Sequence, residues 1–172
     1  MTQAPGQSQA GPGFFGEDKA LEEHVVKIYR CAKVVKGGRR FQFGALVIIG
    51  DRHGRVGVGY GKANEVPSAV DKGIKNAKKA MLEVRTKANT IPHRVQATYG
   101  ASKVVLVPAS EGTGVIAGIH LRPLLELAGI RDVLTKAYGS TNPKNLVQAG
   151  VRALTSLRAP ESVSRMRGVQ LT

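Results

Sequence analysis

The sequence predicts an α+β protein made of two small domains, and three observations support this class. The chain has 172 residues, of which 42% are hydrophobic, enough to build a core. Two successive patterns of strands followed by a helix run along it, and the polar stretch RTKANTIPHR separates them. We therefore expect domains over residues 21–87 and 88–160, a disordered Gly/Pro-rich tail over residues 1–20 and a C-terminal tail over residues 161–172.

The first pattern predicts a three-stranded antiparallel meander followed by a helix. The segment from Val25 to Val35 alternates loosely with basic residues and breaks at KGGRR, and the strand FQFGALVIIG follows. After a turn, RVGVGYG returns as a third strand. Pro67 fits the first turn of a helix. Three sets of residues define the faces: Phe41, Phe43, Ala45, Val47 and Ile49 share one strand face, Val66, Val70, Ile74, Ala77, Met81 and Val84 form the helix stripe, and Lys72, Lys75, Lys78 and Lys79 fall mostly off it.

The second pattern predicts a βαβα sandwich of sheet and helices. Alternation at residues 95–99 and the apolar run KVVLVPA indicate two strands. The stretch VIAGIHLRPLLELAG, residues 115–129, is interpreted as a helix ending at Gly129, and IRDVLTKAYGS as a short mixed segment. Asn142 before Pro143 is typical of the start of a helix.

The charge of the chain indicates a polyanionic partner. Twenty-six Lys and Arg residues against twelve Asp and Glu residues give a formal net charge of +14. Residues 24–87 hold fifteen basic and four acidic side chains, so most of the excess lies in the first domain. Such a chain repels itself unless a polyanion neutralises it, and nucleic acid is the expected partner.

Other classes of protein are disfavoured by what the sequence lacks. The single cysteine, Cys31, excludes an internal disulfide, and the four histidines show no metal-ligand spacing. No signal peptide or membrane-spanning stretch is evident. We expect a cytoplasmic protein with no membrane partner, no metal, no cofactor and no small-molecule substrate.

The glycine-rich stretch GRVGVGYGK raises the possibility of a phosphate-binding loop. A Walker-type loop ending at Lys62 would need glycine at position 56 and a hydroxyl at position 63, where the chain has Val56 and Ala63. In a strand, Gly57, Gly59 and Gly61 would instead share one face. That bare face would accept either a closely packed helix or a ligand.

A second glycine motif, GTGVIA at residues 112–117, matches the dinucleotide-binding fingerprint, with Asp132 twenty residues beyond Gly112. Only forty residues remain after Asp132, too few for the further βα units of such a domain. The acids Glu111, Glu126 and Asp132 show no paired arrangement, and no histidine has a catalytic spacing. We therefore expect no enzyme.

The stretch VVKGGRR favours contact with RNA. Gly37 and Gly38 leave backbone N–H groups uncovered, and charged side chains flank them, a combination suited to phosphate oxygens. The alternative is a simple hairpin turn with solvated flanks. The basic residues of this and neighbouring loops are Lys36, Arg39, Arg40, Arg52, Arg55 and Lys62.

Three long motifs carry a resemblance to a known family. They are VVKGGRRFQFGALVIIGDRHGRVGVGYGKANEVPSAVDKGIKNAKKAM, PASEGTGVIAG and LTKAYGSTNPKNLV. All three closely resemble the bacterial form of ribosomal protein five of the small subunit. The resemblance implies a first domain related to double-stranded-RNA-binding domains and a second βαβα domain. It also implies binding to 16S ribosomal RNA, contacts with ribosomal proteins four and eight, a place near the mRNA entry path and an influence on decoding accuracy.

The resemblance also implies functional residues. The RNA-binding loop of the family corresponds to residues 31–40, and the motifs of the second domain to residues 108–114 and 136–142. The residues carried over as RNA-binding are Lys33, Lys36, Gly37, Gly38, Arg39, Ser110, Gly112, Thr113, Lys136, Ser140 and Asn142, and an interface with ribosomal protein four is expected at Gly100, Ala101, Ser102 and Lys103.

Three departures from the family pattern bear on structure and function. Pro123 in the interior of the expected helix would remove a hydrogen bond to Ile119 and kink it. Arg40 and the Gly/Pro-rich tail also differ, and neither has a family role to inherit. Two alternatives stay open: a nucleotide-dependent enzyme, and a regulator that binds generic nucleic-acid duplex.

Overall fold

A computed structural model describes residues 21–168, which form two four-stranded sheets and four helices. The first sheet contains β1 (Glu22–Val35), β2 (Gly38–Gly50), β3 (Arg55–Ala63) and β4 (Met81–Glu83) in that spatial order, and α1 (Val66–Lys79) connects the last two. The second contains β5 (Val95–Tyr99), β6 (Ser102–Pro108), β7 (Val115–Ile116) and β8 (Val133–Gly139) in the order β5-β6-β8-β7, with α2 (Arg122–Leu127), α3 (Pro143–Thr155) and α4 (Pro160–Arg167). The predicted α+β class is confirmed.

The two expected tails are only partly within this range. The disordered segment predicted for residues 1–20 lies outside the described residues. The C-terminal tail predicted for residues 161–172 contains most of α4, none of whose side chains is buried. Residues 160–167 therefore form a short helix without buried side chains.

The glycines of β3 form the surface on which α1 packs. A methyl group at Gly59 would collide with the carbonyl oxygen of Gly73, and one at Gly61 with that of Ala69. On the helix, Ala69, Gly73 and Ala77 are the buried residues, so small side chains face bare backbone across the contact. Of the two possibilities for this glycine face, close packing of the helix is the one the structure shows.

The helix stripe predicted from Val66 to Val84 is too long. α1 ends at Lys79, and Met81 lies in β4, where it pairs with Gly57 of β3. Val84 is buried just beyond that strand. A three-residue strand is too short to show its own periodicity, so its apolar residues extended the helical pattern by coincidence.

The helix predicted for residues 115–129 is also wrong in extent. Val115 and Ile116 form a short strand that pairs in parallel with β8, and only Arg122–Leu127 is helical. Pro123 falls in the first turn of α2, where its missing N–H has no helical partner to lose, so the expected kink is absent. The segment interpreted as mixed is the seven-residue strand β8, paired along its whole length with β6.

The start of α3 is as predicted. Asn142 is its N-cap, and the Asn142 side-chain oxygen accepts a hydrogen bond from the backbone N–H of Lys144 at 3.2 Å. This bond satisfies one of the donors that the first turn leaves unpaired.

The two sheets share one apolar core, because β2 is buried on both faces. Leu46 and Ile48 pack with Val104, Leu106 and other residues of the second sheet and its helices, whereas the alternate residues of β2 face α1. The predicted boundary at residues 85–94 therefore connects two closely packed halves.

Backbone contacts also join the first sheet to the second domain. The N–H of Arg52 donates to the carbonyl of Leu127 at 3.0 Å. A methyl group on Gly50 would strike the Leu127 carbonyl, and one on Gly129 would strike that of Arg52. Across the linker, the carbonyl of Asn89 accepts hydrogen bonds from two consecutive N–H groups that lead into β8.

The contact between β3 and α1 predicts a selective sensitivity to added methyl groups. Gly59→Ala would force the helix off the sheet, and we expect a loss of about 1–3 kcal/mol in the free energy of unfolding, measured by denaturant titration. Gly37→Ala is the matched control, because a methyl group there meets nothing within 4 Å. Equal stability of the two variants would contradict the packing role of Gly59.

Candidate nucleic-acid interface

The KGGRR stretch is the tip of a protruding hairpin. β2 pairs with β3 only from Phe43 onward, so the residues before it pair with β1 alone. The turn consists of Lys36 and Gly37, and Gly38 begins β2 with a φ of 135°, which favours glycine. Arg39 and Arg40 thus lie on a strand, not in an open loop. We call residues 30–42 the ribbon.

One face of the ribbon concentrates positive charge. Lys33 lies directly opposite Arg40 in the antiparallel register, and both side chains are exposed. Lys62 of β3 lies opposite Gly44 of β2 and projects from the same face, because Gly44 is four residues beyond Arg40 along β2. Like charges directly across a ladder repel, so this arrangement destabilises the free hairpin and suits a polyanion. We call Lys33, Arg40 and Lys62 the basic face.

The glycines of the tip leave its backbone open. A methyl group at either Gly37 or Gly38 would meet no atom within 4 Å, and a shallow cavity of about 450 Å³ is lined by residues 35–40. Lys36 and Arg39 flank this cavity with exposed charges. Backbone N–H groups and cations together are a combination that binds phosphate oxygens.

Arg52 and Arg55 lie at the other end of the first sheet and are engaged within the chain. The Arg52 guanidinium forms an ion pair with Glu22 at 2.7 Å, and that of Arg55 donates to Asp51 Oδ2 at 2.9 Å. The structure does not bring these two arginines together with the ribbon. Part of their charge is neutralised by the chain's own carboxylates.

Asp51 organises the turn between β2 and β3. Its side chain is buried, and Oδ1 accepts hydrogen bonds from the backbone N–H groups of His53 at 2.8 Å and Arg55 at 3.0 Å. Burial alone would raise the pKa of Asp51, but these bonds and the Arg55 guanidinium outweigh it and lower the pKa below its ordinary value.

In the second domain, the GTG motif forms a turn without a helix after it. Ser110 and Thr113 close the turn through their hydroxyls, 3.2 Å apart, and Gly112 has a positive φ. The N–H of Gly114 donates to Oδ1 of the buried Asp132 at 2.9 Å. The carboxylate that the dinucleotide fingerprint requires is thus used internally, and a two-residue strand follows the glycines where that fingerprint needs a helix.

Residues expected at the interface with ribosomal protein four form hydrogen bonds with Ser140, which is expected to bind RNA. The Ser102 hydroxyl donates to the carbonyl of Ser140 at 2.6 Å, and the N–H of Ser140 donates to the carbonyl of Ala101 at 2.9 Å. Ser102 is completely buried, so its side chain offers no exposed surface in this turn. Gly100, Ala101 and Lys103 keep exposed surface in this turn.

Lys136 and Asn142 keep some exposed surface on the same side of the second domain. Lys136 lies on β8, opposite Val105, and is exposed. Asn142 is exposed, but its side-chain oxygen already caps α3. Of the predicted residues here, Lys136 is the one that offers an uncommitted charge.

The sequence interpretation missed a stacked pair on the ribbon. The guanidinium carbon of Arg30 lies 3.8 Å from the centroid of the Phe41 ring. Phe41 shares its strand face with the buried Ala45 and Val47, but Phe41 is 45% exposed because α1 does not reach it. The pair depends on strand register, since Arg30 is opposite Phe43 and diagonal to Phe41.

Within residues 21–168, no group of three or more His, Cys, Asp or Glu side chains is placed to hold a metal ion. None of the described helices has the length and apolar character needed to cross a bilayer.

Comparison with known proteins places the chain in a family. The family model for ribosomal protein S5, N-terminal domain, matches residues 21–85, and the model for its C-terminal domain matches residues 97–167. The chain belongs to the ribosomal protein S5 family. The two S5 models together cover both sheets, in the order in which the fold presents them.

Individual relatives agree with this assignment. The small ribosomal subunit protein uS5 of Rubrobacter xylanophilus is 54% identical over 162 residues, which are 94% of this chain and 81% of that protein. The uS5 of Campylobacter jejuni is 59% identical over 138 residues, 80% of this chain and 94% of the relative. S5 proteins are structural, non-enzymatic components of the ribosome, and the predicted absence of catalysis agrees with membership in the family.

The hydrogen bonds of Asp51 predict a pH-dependent contribution to stability. Asp51→Asn should lower the free energy of unfolding by about 1.5–3 kcal/mol at pH 7, because charge-assisted bonds are lost. Since the folded-state pKa is depressed, this contribution is complete above the unfolded pKa, about 4, and disappears as the pH falls through the lower folded value.

Denaturant titrations of wild type and variant between pH 7 and pH 2 measure this difference. Asp71→Asn is the matched control, since Asp71 is an exposed residue of α1. A difference between wild type and Asp51→Asn that stays constant over the whole range would contradict the assigned role of the carboxylate.

Proposed function

We propose that the protein is a structural constituent of the small ribosomal subunit that binds 16S ribosomal RNA through the ribbon. The observation that carries this proposal is the direct opposition of Lys33 and Arg40 on a hairpin that extends beyond its sheet. A chain of net charge +14 that places like charges face to face is stabilised by a polyanion. Membership in the S5 family supplies the identity of that polyanion.

The mode of binding follows from the chemistry of the ribbon. Its cations neutralise phosphates and release counterions, and the uncovered glycine backbone at the tip allows close approach of the RNA strand. Contacts with phosphate oxygens carry no direct information about base sequence. Recognition therefore rests on the shape and charge of the folded RNA.

The joint between the two sheets gives the protein a mechanical role. Because β2 is buried on both faces and backbone contacts at Gly50 and Gly129 join the halves, the ribbon and the second domain are held at a fixed distance. RNA segments bound at the two ends are then held apart by the same distance. This rigidity supports assembly of the subunit and the accuracy of decoding.

Protein partners and location complete the proposal. The exposed part of the β5–β6 turn, at Gly100, Ala101 and Lys103, is the proposed surface for ribosomal protein four. Ribosomal protein eight and mRNA at the entry path are further proposed partners, by resemblance to the family. The protein acts in the ribosome, in the cytoplasm.

The ribbon predicts a defined loss of salt dependence. Lys36→Ala combined with Arg39→Ala should weaken binding to 30S particles that lack this protein and flatten the plot of log affinity against log salt by about 1.5, the value for two phosphate contacts. Filter binding of the full chain between 50 and 300 mM salt, about the usable range, measures the slope.

The control removes the same charge elsewhere. Arg165→Ala combined with Arg167→Ala changes two exposed cations of α4. An unchanged slope for the ribbon variant would mean that the tip is only a turn. Equal affinity of the wild type for random duplex RNA would instead favour a duplex-binding regulator, and tight ATP or NAD binding in calorimetry would favour an enzyme.

A further inference from the structure

The face of the ribbon opposite the basic face carries an exposed apolar strip. In the register of β1 and β2, Ile28, Val34 and Phe41 project from the side on which α1 covers the rest of the sheet. α1 packs on β2 and β3, so these side chains stay uncovered. Their exposed fractions are 46%, 73% and 45%. We call Ile28, Arg30, Val34 and Phe41 the outer strip.

The outer strip holds two planar groups in a stack. The Arg30 guanidinium lies over the Phe41 ring at 3.8 Å, within the range of a cation–π contact. The contact with the ring restricts the rotation that the side chain of an exposed arginine would otherwise have. Val34, two residues beyond the partner of Phe41, extends the apolar surface toward the tip.

The charge and the position of the outer strip indicate which kind of molecule binds to it. The outer strip contains no acidic residue, and Arg39 lies directly opposite Val34, so the surroundings are positive. The basic face lies on the other side of the same two strands. Because the proposed function puts RNA at the tip, where the two faces of the ribbon meet, RNA is already next to this strip, whereas a protein partner would have to bring acidic side chains to meet Arg30 and Arg39.

We propose that an unpaired nucleobase of ribosomal RNA stacks on the Arg30–Phe41 pair, with its edge against Val34. Unpaired bases stack on aromatic rings and on arginine planes, whereas phosphates take the cations of the basic face. The ribbon then contacts one RNA region with both faces. This assignment rests on the proposed function, and it adds the chemical group that is bound.

Two conservative variants separate stacking from charge. Phe41→Leu keeps an apolar side chain and removes the ring, and Arg30→Lys keeps the positive charge and removes the plane. Each should weaken binding to 30S particles lacking this protein by about tenfold, with an unchanged salt slope. Met166→Leu is the control, because Met166 is an apolar residue of α4 that is 64% exposed and lies outside the proposed binding surfaces. Thermal melting checks that each variant is folded.

A fluorescent variant reports stacking directly. The chain has no tryptophan, so Phe41→Trp introduces a single reporter whose emission a stacked base should quench when the 30S particle is saturated. Met166→Trp on α4 serves as its control and should not be quenched. Unquenched emission from Phe41→Trp, or wild-type affinity of Phe41→Leu and Arg30→Lys, would overturn the stacking assignment.

The outcomes distinguish this inference from the proposed function. If stacking fails while the Lys36 and Arg39 variant still flattens the salt slope, the ribbon binds phosphates alone. If Arg30→Lys retains affinity while Phe41→Leu loses it, and no quenching occurs, the outer strip packs against an apolar protein surface instead. If no ribbon variant changes binding, the proposed function fails as well.

Discussion

The burial of β2 on both of its faces is the constraint on which the rest of the molecule depends. One face takes α1, which lies against the glycines of β3, and the other face takes the core shared with the second sheet. The strand from Gly44 to Gly50 is therefore inaccessible to solvent. The first residues of the same strand leave the sheet and form the ribbon, so the proposed RNA contact is anchored in the most buried element of the fold.

The same constraint explains where small residues occur. Backbone-to-backbone contact at Gly59 lets α1 approach the sheet, and the contacts at Gly50 and Gly129 let the two halves approach each other. Close approach excludes water and leaves the interior densely packed. The proposed role of holding RNA segments in place would benefit from a joint made of backbone, since backbone has no rotamers to change.

Much of the fold could be predicted from the sequence, because its longer elements have clear periodicity. The meander, α1, the glycine face and the cap at Asn142 all follow from local patterns. The strands β4 and β7 could not be predicted, since two or three residues show no period and their pairing depends on distant partners. The helix was predicted too long because the apolar residues of 115–121 imitate a helical stripe, although Ile116 and Ile119 are exposed and only Arg122–Leu127 is helical.

The candidate site was predictable in composition but not in arrangement. The residue types of KGGRR indicate phosphate binding, yet the opposition of Lys33 to Arg40 and the stack of Arg30 on Phe41 depend on strand register. Likewise, the ion pair of Arg52 joins residues thirty positions apart. A cryo-electron microscopy map of the 30S subunit containing this protein tests the central claim most directly. We expect 16S RNA phosphates within about 4 Å of Lys33 and Arg40, whereas a ribbon that projects into solvent or meets only protein would contradict it.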